Sequence, residues 1–172
     1  MIYKKICLIG DFAVGKTSLV RRFVDRQFSD QYLSTIGVKI SRKKIDLPSA
    51  EVDNPRLIQL MIWDIEGQTR FKEIAPSYLQ GASGAIIVAD LSRYDTINHL
   101  SQHIDLFLSI NPQGVIVIAF NKSDLVKSEL IDQQAQNNIL LKNEKITSVY
   151  QTSAKLGSYV DEMFSDLANH LI

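Results

Sequence analysis

The sequence predicts an α/β domain with a six-stranded, mostly parallel sheet and helices on both faces. Gly84–Asp90 and Val115–Asn121 are apolar up to their last residue, which is typical of strands buried on both faces of a parallel sheet. Segments with helical spacing of apolar residues alternate with the predicted strands. The chain has 172 residues, of which 45% are hydrophobic, so we expect a single domain, residues 1–172.

The predicted elements follow in a regular order. We expect strands at Tyr3–Ile9, Gly37–Leu47, Leu57–Asp64, Gly84–Asp90, Val115–Asn121 and Val149–Thr152. The second and third strands form a hairpin, with Ile40, Arg42 and Lys44 on one exposed side. The spacing predicts a helix over Lys16–Asp25, another through Ile97, Leu100, Ile104, Phe107 and Leu108, and a last one from near Ser158. Ser158 and Asp161 resemble a capping box for that last helix.

Composition excludes several classes of function. Lysine plus arginine equals aspartate plus glutamate at 19 each, which argues against a general nucleic-acid binder. Cys7 is the only cysteine, so an intramolecular disulfide is excluded, and a buried thiol in a reducing cytoplasm fits best. No apolar run approaches the roughly 20 residues of a membrane span.

Residues 10–17, GDFAVGKT, match the phosphate-binding loop of P-loop NTPases. Gly10 and Gly15 allow backbone N–H groups to approach phosphate oxygens, and the following helix directs its positive end at them. Lys16 adds a charge near the β- and γ-phosphates, and the Thr17 hydroxyl can bind Mg²⁺. We expect Ala13, Val14 and Ser18 to complete this phosphate site.

The residues after the fifth and sixth strands predict guanine as the base. Asn121–Lys122–Ser123–Asp124 follows a buried strand, and the Asp124 carboxylate can accept from both N1–H and the 2-amino group of guanine, which adenine lacks. Asn121 can join the base loop to the phosphate loop, and the Lys122 stem can lie along the ring. Ser153–Ala154–Lys155 can offer a backbone N–H to the guanine carbonyl. The alternative is a polar turn at a strand end.

Taken together, GDFAVGKTSLV, YLSTIGVKI, WDIEGQTRF, YLQGASGAIIVADLS, NKSD and TSAK resemble the motifs of Ras-like small GTPases, in order and approximate spacing. TIGV, GQxRF and SYxxGAxG are most similar to the Rab branch. The resemblance implies a monomeric cytoplasmic switch that binds GTP or GDP with Mg²⁺, hydrolyses GTP and signals through protein binding. The alternatives are a nucleotide-binding interaction module that hardly hydrolyses, the GTPase domain of a larger protein, and a P-loop kinase, against which NKSD and TSAK argue.

The resemblance also assigns roles to single residues. It implies that Thr35 and Asp64 hold Mg²⁺ with Thr17, and that Thr35 and Gly67 contact the γ-phosphate through their N–H groups. Gln68 orients the attacking water, so the implied catalytic residues are Gln68, Lys16 and Thr35. Phe28 packs against guanine and Tyr32 folds over the phosphates.

The implied partners are effector, GTPase-activating and exchange proteins. They would bind two switch regions, the segment around Thr35 (switch I) and the segment around Gly67 (switch II), and a patch of Ile40, Trp63 and Tyr78. The alternative for Ile40 is a half-buried strand residue. The switch I positions that carry a catalytic arginine in some GTPases have none here, so we expect slow hydrolysis without an activating partner.

Several features depart from the family pattern. Phe12 stands where small residues are usual and is expected to slow hydrolysis. Glu66 replaces a small residue and either approaches the metal and γ-phosphate or extends into solvent.

Other departures concern loops and the chain end. The turn PSAEVDNP lengthens the hairpin. The chain stops at its last helix without a C-terminal cysteine, so membrane attachment is expected only if a lipidated tail was removed. His99 and His103 could form a metal pair, but exposed helix positions are the favoured interpretation.

Overall fold

The computed structural model describes residues 1–47, 56–67, 74–127 and 143–172. Within these ranges the strands are β1 Ile2–Gly10, β2 Val38–Leu47, β3 Arg56–Ile65, β4 Gly84–Asp90, β5 Val115–Asn121 and β6 Ile146–Gln151. The helices are α1 Lys16–Asp25, α2 Pro76–Leu79, α3 Tyr94–Asn98, α4 Leu100–Ile110 and α5 Val160–His170, with a 3₁₀ turn at Ser123–Leu125. The predicted turn PSAEVDNP and Gln68 lie outside the described residues.

The strands form a six-stranded sheet in the order β2-β3-β1-β4-β5-β6. All neighbouring pairs are parallel except β2 and β3, which run antiparallel from Val38 opposite Ile65 to Leu47 opposite Arg56. The predicted mostly parallel sheet is therefore confirmed. Strand β2 forms one edge, and its Ile40, Arg42 and Lys44 side chains are exposed, as predicted.

Apolar residues fill both faces of the sheet because alternate side chains of each strand point to opposite sides. On one face Ile6 and Leu8 of β1 belong to a core that includes α1 and α5, where the rings of Phe23 and Phe164 stack with centroids 4.1 Å apart. On the other face Ile9 belongs to a core with α4 residues such as Phe107. The prediction of helices on both faces is confirmed.

Two local predictions were wrong. The helix expected between β4 and β5 is divided at His99 into α3 and α4. The capping box is not formed, because Tyr159, with φ of 55°, precedes α5 without a side-chain capping bond. Asp161 instead accepts hydrogen bonds from Arg26 Nη1 at 2.6 Å.

The last strand begins at Ile146, three residues before its predicted start. Ile146 is buried and pairs with Ile116, but the register shifts between Ile116 and Val117. Among the described helices, none combines the length and the apolar character that crossing a membrane requires.

Candidate nucleotide-binding site

A cavity of about 280 Å³ opens at the carboxyl ends of the parallel strands. Ligands of open α/β sheets bind at this edge because the loops that follow the strands converge there. Most of the predicted site residues line the cavity: Ala13, Gly15, Lys16, Thr17, Ser18, Phe28, Tyr32, Thr35, Gly67, Asn121, Lys122, Asp124, Ala154 and Lys155. Gly10, Val14, Asp64 and Ser153 are buried beside it.

Side chains hold the carbonyl groups of the phosphate loop one after another. Lys16 Nζ donates to the carbonyl oxygens of Gly10 and Asp11 at 2.9 and 2.7 Å. Arg93 Nη2 donates to the Phe12 carbonyl at 2.6 Å and Lys122 Nζ to the Ala13 carbonyl at 2.9 Å. Asn121 Nδ2 donates to the Val14 carbonyl at 3.0 Å. Because these carbonyl oxygens are bound to side-chain donors, they do not repel an anion in the loop. The N–H groups of the loop can therefore donate to the anion.

Lys16 carries the positive charge of the cavity. Its side chain is 6% exposed, and burial lowers its pKa to about 8, although the carboxylates of Asp64 and Asp11 act in the opposite direction. A buried ammonium group that has only backbone carbonyl acceptors gains strongly from an oxyanion. Lys16 is therefore suited to phosphate oxygens.

Thr17, Thr35 and Asp64 meet beside Lys16. The Thr17 hydroxyl donates to Asp64 Oδ2 at 2.6 Å, and Thr35 Oγ1 lies 2.6 Å from Thr17 Oγ1, so Thr35 donates to Thr17. The pKa of Asp64 is raised, because the effect of burial outweighs the Thr17 hydrogen bond and the Lys16 charge, which act to lower it. Its other oxygen, Oδ1, is buried without a hydrogen-bond partner.

This oxygen set fits Mg²⁺, which takes one or two carboxylates and completes its shell with water and substrate phosphates. The orphaned Asp64 Oδ1 is the kind of buried acceptor that a cation or its water satisfies. In the part of the chain that the structure describes, no three histidine, cysteine or acidic side chains form a metal cluster. A site built wholly from protein ligands is therefore not indicated there, whereas one shared with phosphates is.

The base end of the cavity is organised around Asp124. Ser153 Oγ donates to Asp124 Oδ1 at 2.6 Å, which orients the carboxylate, while Asp124 itself is exposed. Asn121 Oδ1 accepts from the Ala154 N–H at 3.3 Å, so Asn121 joins the phosphate loop to the 153–155 loop. The Phe28 ring lines the cavity and packs against the core.

Arg22, on helix α1, binds the backbone of the 153–155 loop. Its Nε donates to the Ala154 carbonyl at 2.8 Å and its Nη2 to the Lys155 carbonyl at 2.6 Å. Helix α1 therefore connects the phosphate end to the base end. Arg22 was not predicted as a site residue, because nothing in the spacing of α1 distinguishes it from a solvent-exposed arginine.

Asp90, at the end of β4, links two residues of the phosphate site. Its Oδ2 lies 2.7 Å from Lys122 Nζ and accepts from Arg93 Nε at 3.2 Å. Burial acts to raise its pKa, but hydrogen bonds from Lys122 and Ser92 outweigh it, and the pKa is lowered. Asp90 and Arg93 were not predicted as site residues. The position of Asp90 at a strand end was the available signal.

Asp11, His99 and His103 form a cluster behind the phosphate loop. Asp11 Oδ2 lies 2.6 Å from His99 Nδ1, and Oδ1 lies 2.7 Å from His103 Nε2. His103 is 1% exposed, and its Nδ1 has no partner, which assigns the proton to Nε2. The expectation of an exposed position was wrong for His103, which a carboxylate distant in sequence binds in the interior, whereas the side chain of His99 is 44% exposed.

Phe12 and Tyr32 cover the phosphate end of the cavity. Their ring centroids are 5.5 Å apart at an interplanar angle of 71°, an edge-to-face contact, and both side chains are exposed. The Glu66 side chain does not extend freely into solvent. It is half-buried, and its Oε2 accepts from the Gly37 N–H at 2.8 Å.

The predicted partner patch carries a positive charge. Ile40, 50% exposed, lies opposite Trp63 in the β2–β3 register, and Tyr78 is half-buried. Lys5 Nζ lies 3.7 Å from the centroid of the Trp63 ring, a cation–π distance. The patch is therefore less apolar than its three predicted members indicate.

A phosphate loop, a second loop with the Asp124 carboxylate and an oxygen set that fits Mg²⁺ lie together on one edge of this sheet, an arrangement typical of GTPases of the switch class. Comparison with known proteins identifies the family, because the Ras family model matches residues 5–172. The chain belongs to the Ras family.

Its relatives are of the Rab type. Ras-related protein Rab-1C of Dictyostelium discoideum is 37% identical over 168 residues, 97% of this chain and 80% of that protein. GTP-binding protein ypt5 of Schizosaccharomyces pombe is 33% identical over 171 residues, 99% of this chain and 78% of that protein. The protein is a Rab-like small GTPase that binds guanine nucleotide and hydrolyses GTP, as the sequence predicts.

Proposed function

We propose that residues 1–172 form one GTPase domain in which the residues of the cavity divide into phosphate, metal and base sites. The N–H groups from Ala13 to Ser18 and the Lys16 ammonium bind the β- and γ-phosphates. Supporting this, the loop carbonyls have other partners and Lys16 is buried. Asp124, with the Ala154 and Lys155 backbone, selects guanine, and Phe28 packs against the base.

Thr17, Thr35 and Asp64 hold Mg²⁺. The contact that carries this proposal is the approach of Thr35, from the loop before β2, to the Thr17 hydroxyl at 2.6 Å. It brings a residue of switch I to the residues of the phosphate loop. When bound, Mg²⁺ neutralises charge on the phosphate oxygens.

Gln68 orients the water that attacks the γ-phosphate, and Lys16 stabilises the charge that develops on the phosphate oxygens. The P–O bond to the β-phosphate breaks, and GDP and phosphate are released. The position of Gly67 supports this role for Gln68. A Cβ at residue 67 would lie 2.5 Å from the Phe12 Cα, so only glycine packs this closely against the phosphate loop, and Gln68 is the next residue in the chain.

Loss of the γ-phosphate removes the ligand of the Thr35 and Gly67 N–H groups and releases both segments. Effector, activating and exchange proteins read this change through the switch regions and the patch of Ile40, Trp63 and Tyr78. We propose that the domain acts as a monomer in the cytoplasm. The single thiol, Cys7, is buried with its pKa raised by burial to about 12, and it suits a reducing compartment.

The test is single-turnover hydrolysis of bound GTP with Mg²⁺, in the parent and in Gln68→Leu. We expect the parent to convert GTP to GDP and the variant to be slower by on the order of 100-fold, because water is no longer oriented. Gln102→Leu, on the exposed side of α4, is the matched control and should keep the parent rate. Equal rates in the parent and Gln68→Leu would contradict the role of Gln68.

A further inference from the structure

Glu66 makes two hydrogen bonds to one residue. Its backbone N–H donates to the Gly37 carbonyl at 2.8 Å, and the Gly37 N–H donates to Glu66 Oε2 at 2.8 Å. Residues 37 and 66 lie one step beyond Val38 and Ile65, the first antiparallel pair of β2 and β3. The carboxylate therefore accepts the bond that a backbone carbonyl accepts in a regular antiparallel ladder.

The Gly37 backbone is fixed at the place where this bond forms. Gly37 has a φ of 70°, a left-handed conformation that side-chain-bearing residues rarely adopt. It lies two residues after Thr35, which contacts Thr17. A hydrogen bond to an ionised carboxylate is roughly twice as strong as one between neutral groups. The Glu66 contact therefore limits how far the Thr35 segment can move from the phosphate loop.

The same residue is covalently joined to the second switch segment. Gly67 packs against Phe12 and Asp11, so Glu66 has the phosphate loop on one side and the end of switch I on the other. The Gly37–Glu66 contact therefore joins the residue before β2 to the residue before Gly67. If the Thr35 segment or the Gly67 segment moves away from the phosphate loop and carries Gly37 or Glu66 with it, the side-chain bond breaks.

We propose that Glu66 is a positioning residue that stabilises the closed arrangement of Thr35 and Gly67 and thereby favours GTP over GDP. The inference rests on the proposed roles of Thr35 and Gly67. A contact present only in the closed arrangement adds to the affinity of the ligand that binds this arrangement. GTP engages both segments through its γ-phosphate, whereas GDP lacks that group, so the contact raises the affinity for GTP alone.

The alternative is that the Glu66 carboxylate repels the γ-phosphate. The two mechanisms give opposite signs, so the ratio of GTP to GDP affinity decides between them. The ratio also separates positioning from a general structural role, because a loosened fold weakens the binding of both nucleotides alike. The measurement is competition of GDP and a non-hydrolysable GTP analogue against a fluorescent GDP derivative, with Mg²⁺ present.

We expect Glu66→Ala to lower the GTP-to-GDP affinity ratio on the order of tenfold, with the GDP affinity nearly unchanged. Glu66→Gln keeps an acceptor oxygen at the same reach and should stay within about threefold of the parent. Glu66→Asp keeps the charge but is one methylene shorter, and should behave like Glu66→Ala. Repulsion predicts instead that the alanine and glutamine variants both bind GTP more tightly.

A ratio that is unchanged or higher in Glu66→Ala would overturn the inference, and so would a parent-like ratio in Glu66→Asp. If Glu66→Ala does not fold, the pair Glu66→Gln and Glu66→Asp still decides. Positioning predicts a ratio near that of the parent for Glu66→Gln and a lower ratio for Glu66→Asp, whereas repulsion predicts a higher ratio for Glu66→Gln and a ratio no lower than that of the parent for Glu66→Asp. A parent that binds neither guanine nucleotide would instead contradict the proposed nucleotide site.

Discussion

At the scale of single residues, Phe12 shows how this phosphate loop holds a large side chain. The ring points out of the loop to Tyr32, where it is 40% exposed, while the Phe12 carbonyl is bound by Arg93. The bulk of the ring therefore occupies the phosphate end of the cavity without disturbing the hydrogen bonds of the loop. We expect this ring to hinder hydrolysis, both by Gln68 and by an arginine supplied by an activating protein.

Replacing Phe12 by glycine should accelerate single-turnover GTP hydrolysis on the order of tenfold, because the water and Gln68 reach the γ-phosphate unhindered. Tyr32→Phe preserves the edge-to-face contact and should keep the parent rate. Tyr32→Ala tests whether the pair or the Phe12 ring alone is responsible. An unchanged or slower rate in Phe12→Gly would contradict the obstruction.

The predicted site residues that the structure brings together at the cavity are those contained in a short contiguous motif. Lys16, Thr17 and Asp124 line the cavity because the strand that precedes each motif ends there. The partners of Asp11 could not be predicted, because 88 residues separate it from His99. The direction of the Glu66 side chain depends on the β2–β3 register at Gly37, which the sequence pattern does not define.

At the scale of elements, boundaries were predicted correctly where an apolar run or a glycine motif ends. Helix α1 and strands β4 and β5 have their predicted bounds. The division between α3 and α4 was missed, since the apolar spacing continues across it. His99 at this division and His103 one turn later both face Asp11, so the β4–α4 region supports the back of the phosphate loop.

Asp11→Asn tests this support. One carboxylate oxygen becomes an amide NH₂ that cannot accept from a histidine N–H, and hydrogen bonds to charged groups contribute about 1.5–3 kcal/mol each. We expect a roughly tenfold faster dissociation of fluorescent GDP, since about 1.4 kcal/mol corresponds to that factor. Asp95→Asn, an exposed carboxylate on α3, is the matched control. Parent-like dissociation from Asp11→Asn would show that the cluster does not support the loop.

The cluster of Asp11, His99 and His103 also determines how the stability of the fold changes with pH. Burial acts to raise the pKa of Asp11, but the hydrogen bonds and charges of His103 and His99 outweigh it, and the pKa is lowered. A carboxyl group with a lowered pKa in the folded state stabilises the fold above its unfolded pKa. Asp11 is therefore ionised at neutral pH. Its contribution to the stability of the fold is lost only as the pH falls through the lowered pKa.

At the scale of the whole molecule, two apolar cores make the sheet rigid, whereas the cavity at its edge contains polar groups without adequate partners. The Lys16 ammonium is buried with its pKa lowered by that burial, and Asp64 Oδ1 is buried without a hydrogen bond. The buried ammonium group and the unpaired carboxylate oxygen raise the free energy of the ligand-free protein relative to its complex with nucleotide and Mg²⁺. The stability of the fold should therefore depend strongly on the ligand.

Removing Mg²⁺ and nucleotide with EDTA should lower the Tm, and adding back Mg²⁺ with GDP should restore it. At a ligand concentration 100 times Kd, binding stabilises the fold by about 2.7 kcal/mol. For a chain of this size, that shifts Tm by roughly 5–10 °C. ADP should give little shift, because Asp124 finds no N1–H or 2-amino donor on adenine. Asp124→Ala should abolish the GDP shift while lowering the ligand-free Tm only slightly, because Asp124 is exposed and its removal costs the fold one side-chain hydrogen bond, from Ser153 Oγ. Equal shifts with ADP and GDP would show that the phosphate loop alone binds the nucleotide and that the 121–124 and 153–155 loops do not select the base.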